Sequence, residues 1–204
     1  MAPSSEPEVA EQPTDASEAE LVAELLRLQG QRAQCYAEFD REFRAYTRVT
    51  GPEAEARYTA AVQRCTAAFA DLSRDVNAVE EAIKSALGQP QLAAVIRDIQ
   101  QHEKIKLEMT ATLHVLKKAK AAKEAAQAEA GVDGAQAAIT AEEEEPPRAQ
   151  PHAHGGCCAC GPPPPEPTVE ELDAAIGEAT QNIQGAVAHI NEILEELRYL
   201  GQDD

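Results

Sequence analysis

Tryptophan is absent from the 204-residue sequence, and aromatic residues make up only 3% of it. Strands draw on β-branched and aromatic side chains, so this scarcity argues against a sandwich or barrel. No apolar run approaches the roughly 18 residues that a membrane span needs. Residues 1–20 contain six acids and no Lys or Arg, which fits neither a secretory signal nor an Arg-rich transit peptide. Of five cysteines, three crowd between Cys157 and Cys160. That is no disulfide framework, and a reducing compartment is expected. Catalytic motifs are missing too: there is no Gly-rich phosphate loop after a strand, no GxSxG elbow and no HExxH. No catalytic residue and no cofactor is expected, and the chain is read as a non-enzyme.

What remains is rich in Ala, Glu, Gln, Leu and Arg, the composition of long helices. The formal charge of −18 is unevenly spread. Residues 1–20 carry −6, whereas residues 21–116 hold 12 bases against 13 acids. Residues 117–168 hold 5 bases and 8 acids, and residues 169–204 hold 1 and 9. A phosphate-binding surface needs clustered bases. The one cluster, Lys117, Lys118, Lys120 and Lys123, reads as a solvated helix end whose lysines favour the C-terminal dipole. Direct DNA contact through it is the rival reading and is not expected.

Polar, proline-bearing residues 1–16 hold too little apolar surface to fold alone and read as a disordered acidic tail. Ser17 and Glu20 form a capping-box pattern. The first helix then carries a stripe of Leu21, Leu25, Leu28, Cys35, Tyr36, Phe39, Phe43, Tyr46 and Val49. Gly51-Pro52 ends it and opens the second. There Tyr58, Val62, Cys65, Phe69, Leu72, Val76, Val79 and Ile83 alternate steps of four and three, the 3.5-residue repeat of coiled-coil packing. After Gly88-Gln89-Pro90, a third helix presents Leu92, Val95, Ile99, His102, Lys106, Met109, Leu113 and Leu116, and is expected to fray near Ala130. Residues 131–167, with Gly131, Gly134, an acid block and Pro162 to Pro165, read as a flexible linker. Thr168 and Glu171 cap a last helix over 168–200, striped by Leu172, Ile176, Ala179, Ile183, Val187, Ile190, Leu194 and Leu197.

The stripes also fix a register. Across Gly51-Pro52, Tyr46 faces Tyr58, Phe39 faces Cys65, Tyr36 faces Phe69, Leu28 faces Val76 and Leu21 faces Ile83, each pair totalling 104 or 105. Across the second turn, Leu87 faces Leu92, Ile83 faces Val95, Val79 faces Ile99 and Val76 faces His102, each totalling 178 or 179. The fold class is therefore all-α, an elongated antiparallel bundle of three to four long helices with coiled-coil-like packing. Residues 17–130 supply three helices and the C-terminal helix completes the bundle. A parallel homodimer is the rival arrangement, against which the short Gly-Pro turns argue; oligomeric state stays open.

The aromatic residues flanking the first turn read as the bulky end of the core. Arg32 and Lys106 interrupt the seam, their stems covering apolar surface while their charges reach water. His102, His114 and His189 are isolated on helices and read as packed or hydrogen-bonded residues. Cys35 and Cys65 read as small buried apolar residues. The one group with zinc-ligand chemistry is His152, His154, Cys157, Cys158 and Cys160. Its C-C-x-C run lacks knuckle spacing and a flexible segment loses entropy on closing, so no metal site is assigned to it.

Three stretches carry a resemblance: LLRLQGQRAQCYAEFDREFRAY from Leu25, RYTAAVQRCTAAFADLSRDVNAVEEAI from Arg57, and INEILEELRYL from Ile190. Over residues 21–118 and 169–200 the chain resembles the required-for-excision 1-B domain family of DNA-repair proteins. The resemblance implies a part in excision repair and carries over no catalytic residue. A balanced bundle without a basic stripe then suggests an accessory or scaffold factor. It would act through protein partners of a repair complex, with no membrane attachment, in the nucleus and with the cytoplasm left open. The alternative is a structural coiled-coil subunit of a cytoskeletal or other assembly, without a repair role.

Overall fold

A computed structural model of the protein describes residues 17–49, 51–140 and 166–200, with the side chains of 130–140 and Leu200 excepted. The expected acidic tail, residues 141–165 of the expected linker, and with them the His152–Cys160 group lie outside the described residues. The described chain is all-α: α1 (Glu18–Arg48), α2 (Pro52–Ser85), α3 (Pro90–Thr140) and α4 (Val169–Leu200).

The helix starts follow from local chemistry. The Ser17 N–H donates to the Glu20 carboxylate at 2.8 Å, and the Glu20 N–H donates back to Ser17 Oγ at 3.3 Å. Thr168 and Glu171 repeat the exchange at 2.7 and 3.1 Å. Each box satisfies two amides that a helix start leaves unpaired, and a cap of this type contributes about 1 kcal/mol. At the first turn Gly51 has φ +135° and Pro52 opens α2. At the second, Gly88 has φ +63°, and the Gln89 N–H reaches back to the Ile83 carbonyl at 3.2 Å.

The α1–α2 register is the one the stripes predict. Tyr36 packs on Phe69 with ring centroids 4.6 Å apart, and Tyr46 stacks on Tyr58 at 4.7 Å. Arg32 reaches Ser73 across the same hairpin. Between α2 and α3, Gln100 donates to Asn77 at 3.0 Å and Arg97 pairs with Glu80.

The chain divides into two compact units, one running to Lys106 and resuming at Gly185, the other Leu107–Gln184. In the first unit a continuous core joins Leu25 and Leu28 of α1, Val76 and Ile83 of α2, Ile96 and Ile99 of α3, and Ile190, Ile193, Leu194 and Leu197 of α4. The C-terminal part of α4 is thus a fourth member of the bundle. In the second unit Leu172 and Ala179 of α4 are buried. Lys120 of α3 reaches Asp173 at 2.5 Å, and Asn182 donates to Met109 Sδ at 3.9 Å.

Several expectations shift. Ile96 and Glu103 are buried where Val95 and His102 were expected, and Val95 is half-buried. A helix touching more than one neighbour needs a broader face than a single seam. Val22 is buried beside a half-buried Leu21, and Val49 is 61% exposed. The third helix passes Ala130, Gly131 and Gly134 to end at Thr140. Its alanine-rich sequence tolerates two glycines at about 1 kcal/mol each. Arg32 does not reach water: it is 2% exposed.

Candidate functional site

Three polar groupings stand out in the first unit. The deepest surrounds Arg32. Its Nη1 donates to Gln100 Oε1 at 2.7 Å and its Nη2 to Ser73 Oγ at 2.9 Å. Gln100 in turn donates to the Ser73 carbonyl at 3.3 Å as well as to Asn77. A buried guanidinium is therefore held by neutral acceptors on two other helices. Beside it, the Tyr36 hydroxyl donates to the Glu103 carbonyl at 3.2 Å. Lys106 lies 3.5 Å from the Glu103 carboxylate and 3.9 Å from the Tyr36 ring centroid. The stem-over-surface expectation for Lys106 is thus replaced by a cation–π contact in a part-buried layer. Burial first, then the Glu103 charge, pushes the Tyr36 hydroxyl well above its ordinary value, and burial pushes Lys106 down. Glu103 Oε2 and Gln29 Nε2 are buried without a hydrogen-bond partner among the described residues. Unmet groups of this kind cost stability.

The second grouping is the tip of the α1–α2 hairpin. Tyr58 is its centre, 4.7 Å from Tyr46, 5.7 Å from Phe43 and 6.3 Å from Phe39 between ring centroids. Arg57 clamps both oxygens of Glu42 at 2.9 and 3.2 Å, which holds the Glu42 carboxyl below its ordinary value. A groove of about 240 Å³ lies beside this clamp, lined among others by Tyr46, Val49, Glu53, Arg57 and Tyr58. The aromatic run thus forms the bulky end of the core and also borders an open groove.

The third grouping was not legible in the sequence. His102 and His189, read as isolated, come together with ring centroids 4.0 Å apart. Asp98 joins them: its Oδ2 lies 2.9 Å from His189 Nε2 and its Oδ1 3.3 Å from His102 Nδ1. Hydrogen bonding from His189 is the main reason that the Asp98 carboxyl sits below its ordinary value. His114 is buried in the second unit. Cys35 and Cys65 are half-buried and buried free thiols, both pushed up by desolvation. In the lysine cluster, Lys120 is shared between Asp173 and Glu124, and Lys123 lies 4.0 Å from Glu166.

Comparisons with known proteins fall on the same helices. A protein from Bos taurus named "Required for excision 1-B domain-containing protein" is 35% identical over 102 residues, 50% of this chain and 57% of its own length. A Mus musculus protein of the same name is 36% identical over 103 residues, again 50% of this chain and 60% of its own length. The chain thus spans somewhat over half the length of these curated relatives. No solved structure matches the chain. The family described as DNA repair REX1-B matches residues 20–117, which cover α1, α2 and the first part of α3. The resemblance read from the sequence holds over residues 20–117, which match the DNA repair REX1-B family, whereas the family match does not reach the resemblance read over residues 169–200.

Proposed function

We propose that this chain serves the excision repair of damaged DNA as a non-enzymatic accessory or scaffold factor, in the nucleus, through contacts with other proteins. The observation that carries the reading is the REX1-B segment, which supplies three of the four helices that build the first unit's core. The relatives' names supply the link to excision.

Electrostatics favours protein partners over DNA. Within the segment, guanidinium groups are already matched by carboxylates: Arg27 with Glu24, Arg44 with Asp40, Arg57 with Glu42, Arg74 with Asp71 and Arg97 with Glu80. Phosphate would have to compete with each of these pairs, and the acidic flanks oppose its approach. The hairpin tip offers what a protein partner uses instead, tyrosine faces beside an arginine.

Two measurements test the reading. Cells lacking the chain should lose ultraviolet survival and regain it with the wild-type sequence; unchanged survival would refute the repair role and favour a structural assembly. Full-length protein should bind duplex DNA only weakly at physiological salt. Sub-micromolar, steeply salt-dependent binding would overturn the preference for protein contacts.

A further inference from the structure

We propose that Asp98, His102 and His189 form a binding site for a divalent transition-metal ion, with Zn²⁺ the natural probe. Asp98 and His102 are one helical turn apart on α3, so both project from the same side of that helix. His189 arrives from α4, separated from Asp98 by 91 positions. One ligand atom from each residue lies within 4.8 Å of the other two. Two nitrogens and a carboxylate oxygen are donors that zinc accepts at about 2.0–2.2 Å. Ligand atoms on a tetrahedral ion of that size sit about 3.3 Å apart. The His189–Asp98 pair is already at 2.9 Å, and the remaining span closes by rotation of side chains that are 25–47% exposed. Their exposure also leaves room for water as the fourth ligand.

The surroundings of His102 suit this role. Its Nδ1 lies 3.0 Å from the main-chain carbonyl of Asp98. Metal-bound histidines commonly donate their second ring N–H to such an acceptor, which fixes the tautomer and orients the ring. Bound metal would tie α4 to α3 directly above the contacts of Ile190 and Ile193 in the core.

The test uses the full-length chain with His152, His154, Cys157, Cys158 and Cys160 replaced by Ala or Ser, so that these donors cannot contribute. After chelator treatment, titration with Zn²⁺ alone should show one equivalent bound. At a hundredfold excess of free Zn²⁺ over its Kd, the folded-to-unfolded ratio should rise about 100-fold. His189→Gln and Asp98→Asn, each checked for unchanged helical circular dichroism, should weaken binding at least tenfold, as should His102→Gln. Absence of stoichiometric binding, or binding that survives both His102→Gln and His189→Gln, would overturn the proposal.

Discussion

Arg32 allows the buried layer to be tested by the sign of an effect. The residue is 2% exposed, and its guanidinium rests on Gln100 and Ser73. Replacing it with Met removes two charge-assisted hydrogen bonds. It also removes a charge whose desolvation costs several kcal/mol, and it keeps most of the volume. The two effects nearly offset, so Arg32→Met should change stability by about 1 kcal/mol or less. Gln100→Ala does the opposite. It leaves the charge in place, strips Nη1 of its acceptor and should cost roughly 2–4 kcal/mol. The double variant should then be more stable than Gln100→Ala alone, because the stranded charge is gone. Urea unfolding at 25 °C, followed by helical circular dichroism and compared at equal m-value, reads all three. A double variant less stable than Gln100→Ala would refute the argument, since the guanidinium would then be stabilising without its partner.

Further expectations concern the turns, the alkaline limb and the thiols. Gly51→Ala should cost about 1–3 kcal/mol because φ +135° with ψ 167° is a region essentially restricted to glycine. Gly88→Ala, at φ +63°, should cost only about 1 kcal/mol; equal losses in thermal melts would contradict this. Lys106 titrates lower in the folded chain than in the unfolded one, so its contribution makes stability rise with pH up to its unfolded pKa of about 10.4. Tyr36 titrates higher when folded, so its stabilisation is complete below about pH 10 and is lost above it. Lys106→Met should flatten the rising limb and Tyr36→Phe the falling one, as followed by urea melts from neutral to strongly alkaline pH; a falling limb unchanged in Tyr36→Phe would count against the layer. Cys35 and Cys65 should react with a disulfide reagent much more slowly in buffer than in urea, as mass spectrometry of the labelled peptides would record.

How much of this was legible depends on how far apart in the chain the partners lie. The α1–α2 hairpin was readable because Gly51-Pro52 fixes the turn and Tyr36, Tyr46, Tyr58 and Phe69 are bulky enough to mark the register. The face of α3 was displaced, Ile96 and Glu103 replacing Val95 and His102, because a helix between several neighbours obeys more than one seam. The end of α3 was missed because glycine is a stop signal only where the surrounding sequence is a weak helix former. Arg32 read as a seam residue whose charge reaches water, since its neutral acceptors Ser73 and Gln100 carry no charge pattern to announce them. His102 and His189 could not be paired at all, for no short turn sets the register of α4 against α3. The His152–Cys160 group, conspicuous in the sequence, lies outside the described residues, whereas the histidines that meet were inconspicuous.

The late arrival of α4 has a bearing on synthesis at the ribosome. Hairpins that close over a few residues form early, and pairing across a long intervening stretch comes last, because loop closure is the slower and costlier event. The hydrophobic face awaiting Ile190, Ile193, Leu194 and Leu197 consequently stays bare until α4 itself has been synthesised. A fragment cut at the boundary of the matched segment would keep that face bare permanently, and would aggregate or recruit chaperones where the intact chain does not.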